Sequence, residues 1–292
     1  MKHRKKLTAI LLTFSLAALL SGCRFQTSFG IGSFVSGDSY PNADSYQTGA
    51  FTYRADEITA AEIYWRCGEV EIIESDADKL RVFESGGELP EDTAMHYLLE
   101  DGTLRIRFCK SGARIRVHEN DKRLTVEVPK GIDLSVHTTS APVKADTLEQ
   151  NSLLVSAHSG STRLGTVNAG SVNLSSSSGA IRAENIVTQT LQCDTSSGSV
   201  QIEQLETETA DVDSSSGSVK LTLSAVSKLN IHTSSGKTVL HLPADGAKVA
   251  YTASSGKLHT AKVYEQKGDL YVFGSGKAQI TVDSSSGNLE IQ

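Results

Sequence analysis

Serine offers this chain its most numerous candidate nucleophiles. Ser140, Ser159, Ser178, Ser197, Ser216, Ser235, Ser255, Ser275 and Ser286 each stand one residue before the same recurring position. A serine attacks only when a positioned base and an orienting partner stand beside it. A serine repeated in this way has no unique partner, so the spacing predicts hydroxyls that bond backbone at a turn and one another along a ladder. Asp194 and Asp213 are the second candidates, each four residues before that position in successive repeats. On adjacent strands they stand at like-charge distance among hydroxyls. Such a pair suits a hard cation such as Ca²⁺, or the two carboxylates of a sugar-cleaving enzyme. The plainer expectation is a solvated polar face, and the glycine-rich Ca²⁺ nonapeptide of other β-rolls is missing. Gly236-Lys237-Thr238 has the ending of a phosphate loop, but Ile231 stands where the earlier glycine belongs. A strand is expected after it where a phosphate loop needs a helix, so that reading is excluded.

The elements that must hold these groups are repeats. Gly160, Gly179, Gly198, Gly217 and Gly236 recur every 19 residues, Gly256 and Gly276 follow at 20, and Gly287 at 11. Ala141 occupies the same place 19 residues before Gly160. Apolar columns flank this anchor. Val136, Val155, Leu174, Cys193, Val212 and Ile231 lie five residues before it, and Leu134, Leu153, Val172, Leu191, Ala210 and Leu229 seven before. Asp269 breaks the second column at the Gly276 repeat. Val143, Ile181, Val200 and Val219 lie two residues after the anchor. Alternation on both sides of a Ser-Gly step predicts strand, turn and strand with alternate side chains inward. The glycine is expected to supply backbone freedom at the bend. Each repeat then forms one coil that buries its apolar face only against its neighbours.

The first residues read as an address. Lys2, Arg4, Lys5 and Lys6 precede the apolar run Leu7 to Leu20, which is short for a membrane span. The run ends in Leu20-Ser21-Gly22-Cys23, which matches the lipobox of bacterial lipoproteins. That resemblance implies cleavage after residue 22 and a lipid on Cys23, with the protein held on the extracytoplasmic face of the cell membrane. Several acyl chains anchor stably where one does not. Removing 1–22 leaves 24 basic against 34 acidic side chains, a formal charge of −10, which argues against a nucleic-acid partner. Residues 23–50, rich in Gly and Ser, are expected to be a flexible tether. Residues 51–135 read as irregular strands that cap and begin the solenoid, with Gly68 as an early turn and 92–99 as the one stretch that could form a short helix. Residues 136–292 are the repeat solenoid.

Cys67, Cys109 and Cys193 remain beside Cys23, with no metal-ligand spacing. Cys193 falls in an inward column and reads as a small core residue. Cys67 and Cys109 are expected as thiols, with a disulfide as the alternative. The final strand, Leu289-Glu290-Ile291, is expected to leave an open parallel edge through which the chain docks on a partner or on a second copy.

Gly68-Glu69-Val70-Glu71-Ile72, Leu124-Thr125-Val126-Glu127-Val128-Pro129 and the repeated Ser-Ser-Gly turns together resemble the bacterial DUF4097 "putative adhesin" β-strand repeat family. The resemblance spans roughly residues 55–292. It implies an all-β fold, a right-handed parallel β-helix or similar solenoid with coils of 19–20 residues, on an envelope protein. It brings no catalytic residue and no cofactor. The expected function is therefore a non-enzymatic, lipid-anchored surface protein that binds a protein or glycan ligand or serves in envelope stress. The alternative is a carbohydrate-active β-helix enzyme, for which coils this short and even leave little material to build a cleft.

Overall fold

The structure, a computed structural model, describes residues 34–36, 39–75, 77–87, 89–116 and 122–292. The expected leader 1–22, Cys23 and the first part of the expected tether lie outside the described residues. Among the described residues the long elements are all strands, and the helical pieces are two single 3-10 turns, Ala43–Ser45 and Ala55–Glu57.

The middle of the chain is five strands of 15 residues: Val143–Ala157, Thr162–Ser176, Ile181–Thr195, Val200–Ser214 and Val219–Thr233. They stack in parallel, with Val143 beside Thr162, Ile181, Val200 and Val219 in turn. The chain is an all-β solenoid with 19-residue coils, as the glycine spacing predicts. The pairing skips Asp146 and Asn151, then Gly165 and Gly170, so each strand bends at two corners. With the Ser-Gly turn as the third corner, the coils of this stretch have three sides. At the first corner two consecutive residues, such as Asp146 and Thr147 or Glu203 and Gln204, both face outward. The alternation therefore changes phase, and a further buried column, Leu148, Val167, Ile186 and Leu205, fills the core. Fully burying one such side chain contributes about 1.5–3 kcal/mol, and here that burial comes only from stacking.

The turn glycines have a different reason from the one expected. None of the ladder from Gly160 to Gly236 lies in the left-handed region. What excludes a side chain is the coil beneath: a Cβ on Gly217 would stand 1.8 Å from the carbonyl oxygen of Gly198.

At both ends the coils stack out of sequence order. Ala60–Trp65 and Glu69–Glu74 form one coil around Gly68, as expected, and lie beneath Asp133–Thr138 and Val143–Ala157. On their other side lie Thr103–Arg107 and Arg123–Val128, a later stretch of chain. This outermost coil is covered in turn by the antiparallel strands His96–Glu100 and Lys79–Ser85. At the far end Ala278–Ser284 and Leu289–Ile291 insert between the coil of Val219–Thr233 and Thr238–His241 and the coil of Gly246–Ala253 and Leu258–Thr260. The turn ladder thus runs Gly217, Gly236, Gly287, Gly256.

This order corrects several expectations. Gly276 is not a ladder turn. The strand before it, Leu270–Gly274, pairs antiparallel with Gly246–Ala253 and with Glu265–Lys267, so Asp269 breaks the column because it belongs to a hairpin. Leu289–Ile291 is not an open edge, since it pairs on both sides. At this end Leu258–Thr260 pairs on one side only, as does Glu265–Lys267, near the exposed side chains of Val263, Tyr264 and Leu270. Residues 92–99 form no helix: a turn leads into the strand His96–Glu100. The later part of the expected tether is not free either. Gln47–Thr48 pairs with His96–Glu100, and the Tyr40 hydroxyl donates to the Cys109 carbonyl at 2.9 Å. Its scattered aromatic rings explain this: Tyr40 and Tyr46 pack on each other at 4.6 Å.

Candidate functional site

The outward column four residues before each turn becomes one continuous line when the coils take their real order. It runs His137, Ser156, Ser175, Asp194, Asp213, His232, Asp283 and Thr252. From Ser156 onward this line and the adjoining turn serines border a groove of about 670 Å³. Sequence spacing alone placed Asp283 far from His232. The structure brings His232 Nδ1 to 3.5 Å from Asp283 Oδ2.

The hydroxyls meet the sequence expectation in part, since the Ser140 hydroxyl donates to the Arg66 carbonyl at 3.2 Å. Along the turns it is backbone that bonds coil to coil, as in Ser197 N–H to the Ser177 carbonyl at 2.9 Å and Ser216 N–H to that of Ser196 at 2.8 Å. The side chains that lock the turns stand three residues before the glycine. Thr195 and Ser214 donate to the carbonyls of Gly198 and Gly217, and Thr233 and Ser284 accept from the N–H groups of Gly236 and Gly287. On the groove face Ser175 Oγ donates to Ser156 Oγ at 2.9 Å, a bond in the outward column and not among the turn serines.

Asp194 and Asp213 stand side by side on adjacent strands, as expected. Partial burial and then the Asp213 charge push the Asp194 carboxyl above its ordinary value, and a hydrogen bond from Gln192 Nε2 at 3.1 Å opposes this. Among the described residues no three His, Cys, Asp or Glu side chains converge to hold a metal ion. The raised carboxyl predicts a pH-dependent stability. A folded value above the unfolded one makes the charged form of Asp194 a cost that grows as pH rises through its titration and is absent once it is protonated. Asp194→Asn is therefore expected to raise the melting temperature near neutral pH and to leave it unchanged below about pH 3, where both forms are neutral. Thermal melts of the two proteins across that range check the sign.

Among the described residues of this face, no serine is joined to a histidine that an acid in turn orients. Ser135 Oγ lies 3.0 Å from His137 Nε2. The nearby Glu62 carboxylate faces Arg105 Nε at 3.3 Å, and among the described residues no carboxylate orients the His137 ring. Burial keeps His137 below its ordinary value. Its ring stacks on Tyr64 at 4.8 Å, and the Arg107 guanidinium covers Tyr64 at 3.8 Å. Tyr64 and Arg107 were not read as site residues, because the coil that carries Arg107 meets Tyr64 only through the out-of-order stacking. A smaller hollow beside His137 and Tyr64 also borders Ser156 and Ser177, so the two form one face.

Lys237 and Thr238, the rejected phosphate-loop residues, belong to the scaffold. Lys237 pairs with Glu290, and Thr238 is buried. Cys193 is fully buried between Leu174 and Val212, and burial pushes its thiol up to about 12. A second groove of about 710 Å³ follows another corner of the coils. Its floor hydroxyls, Thr188 and Thr207, are each already held by two backbone carbonyls.

Comparison with known proteins places this architecture. The family described as Toastrack DUF4097 matches residues 58–292. A solved structure named a "putative adhesin" from Parabacteroides merdae is similar, with 15% identity, 85% of this chain and 96% of that one covered, and a TM-score of 0.53. Another of the same name, from Bacteroides fragilis, has 13% identity, covers 84% of this chain and 97% of that one, and has a TM-score of 0.50. At these identities the likeness is one of fold. No curated protein matches the sequence.

Proposed function

The chain belongs to the Toastrack DUF4097 family, and from that premise we propose that it is a non-enzymatic, adhesin-like binding module displayed at the bacterial cell surface. The observation that carries this reading is the evenness of the groove. Its walls repeat one polar side chain per coil, Ser156, Ser175, Asp194, Asp213, and although His232 and Asp283 meet in it at 3.5 Å, among the described residues no serine hydroxyl bonds the His232 ring. Repeated hydroxyls and carboxylates at strand spacing suit a polymer with repeated hydroxyls of its own, so the ligand class is an uncharged glycan. The formal −10 of the chain after residue 22 disfavours polyanions, nucleic acid among them. A polysaccharide-cleaving enzyme is the competing class, and incubation with envelope polysaccharides separates the two. The binding reading expects no new reducing ends over many hours at micromolar protein, whereas their steady release would move the protein to the enzyme class.

Attachment is the second part of the proposal. The lipobox ending in Cys23 supports a lipid anchor on the extracytoplasmic face of the membrane. Cys23→Ser is expected to move most of the protein from the membrane fraction to the soluble fraction. Immunoblots of fractionated cells read this directly, and full membrane retention of the variant would contradict a lipid anchor.

A further inference from the structure

We propose that Cys67 and Cys109 form a disulfide that clasps the outermost N-terminal coil to the coil it stacks on. The strand register brings them together. Thr103–Arg107 runs parallel to Ala60–Trp65, with Arg107 opposite Tyr64. One residue further on, where the chain leaves the strand in a bend, the rings of Trp65 and Phe108 still meet edge to face at 4.9 Å, so Phe108 stays beside Trp65. Carried one step further, the same offset sets Cys109 against Arg66, next to Cys67, and both cysteines are close enough to act on the Lys122 ammonium. A strand spacing of about 4.8 Å combined with one residue of rise puts the two Cα atoms roughly 6 Å apart, within the span of a disulfide.

The backbone around both residues is already fixed. The Lys122 carbonyl accepts the Glu69 N–H at 3.0 Å, two residues after Cys67. The Lys122 ammonium donates to the Phe108 carbonyl at 2.6 Å, one residue before Cys109. Tyr40 holds the Cys109 carbonyl from the other side, and the Arg66 carbonyl accepts from Ser140 and Ala141. Lys122 therefore ties the two cysteine-bearing segments to each other through its backbone and its side chain. Cys109 is buried and Cys67 is partly exposed, so an oxidant meets Cys67 first.

The chemistry is thiol–disulfide exchange with a small disulfide such as oxidised glutathione. The Cys67 thiolate attacks one sulfur of the small disulfide, displaces one small thiol and is left as a mixed disulfide. The Cys109 thiolate attacks the Cys67 sulfur and expels the second small thiol. The two cysteine protons finish on the two released thiols, and the two electrons lost by the cysteines reduce the small disulfide. Burial raises the Cys67 thiol while the Lys122 charge works against that rise, which fits a bond that forms slowly and is then shielded. Cys193 takes no part, because its neighbours across both strands are Leu174 and Val212.

Peptide mapping tests the proposal on the full chain. The protein is equilibrated with oxidised glutathione, alkylated in denaturant and cut with trypsin without reduction. Cys67 opens the tryptic peptide 67–79, and Cys109 lies in the peptide 108–110. The expected result is that these two peptides are recovered joined, that reductant separates them, and that Cys193 is recovered alkylated. Oxidation is also expected to raise the melting temperature by about 5 °C or more, a gain that Cys67→Ser removes. Recovery of the two peptides alkylated and apart, or joined to Cys23 or Cys193 in place of each other, would overturn the pairing. A joined pair with no change in melting would overturn the clasp. The mapping uses the unaltered protein, so it stands even if the serine variant folds poorly.

Discussion

Gly217→Ala is expected to lower the melting temperature by about 10 °C. The new methyl group would stand 1.8 Å from the Gly198 carbonyl oxygen and 2.8 Å from its carbon, and neither is a flexible side-chain end that can swing away. To admit it the two coils must separate by more than an ångström at the turn. That separation strains the bond from Ser216 N–H to the Ser196 carbonyl and the lock from Ser214 to Gly217. Overpacking and the loss of one such bond together cost about 3–4 kcal/mol. Gly87→Ala is the control, since a Cβ there meets nothing within 4 Å, and little change is expected. Equal melting of the two variants would show that coil contact is not what selects glycine.

Glu84→Ala is expected to destabilise the N-terminal cap by about 3–5 kcal/mol in denaturant unfolding. Lys122 and Glu84 form an ion pair at 2.5 Å with side chains only 2% and 6% exposed. Lys122 also donates to the Phe108 carbonyl and lies 4.0 Å over the Phe108 ring, and Glu84 accepts the Met95 N–H at 2.8 Å. Removing the carboxylate leaves a buried ammonium with no counter-charge, in a site whose burial already lowers Lys122 below its ordinary value. Replacing both partners with apolar residues, Glu84→Leu with Lys122→Met, is expected to recover much of the loss, because the desolvation penalty goes with the charges. A double variant as unstable as the single one would mean that the hydrogen bonds of the site, more than its charge, hold the cap.

The sequence made the solenoid visible because one 19-residue spacing governs both the turn and the neighbour above it. Cys193, Val212 and Ile231 could be placed in the core from spacing alone, and so could the outward stack of Asp194 on Asp213. The column of Leu148, Val167, Ile186 and Leu205 was hidden by the corner at Asp146 and Thr147, where two outward residues in succession reset the alternation. The order of the end coils was hidden for a different reason. Spacing along the chain says nothing about which coil lies beside which once the stacking departs from sequence order. The break at Asp269 and the short step to Gly287 were the local traces of the hairpin that makes the exchange. The groove inherits the same limit. Asp283 joins the site only because its strand lies next to the strand of His232. Lys122 carries no motif at all, and its role follows from the cap that folds over it.

The face bordered by Ser156, Ser175, Asp194 and Asp213 is the proposed glycan-binding face. Ser175→Arg places a long cation in the middle of that groove, on an outward position that supports no core contact. Titrating soluble envelope glycans into the protein lacking residues 1–22, and into this variant, is the most direct measurement. Under this proposal saturable binding to the parent protein is expected, with a loss of at least tenfold in the variant and only a small change in melting temperature from the lost Ser175–Ser156 bond. Equal affinity in the two proteins would contradict it.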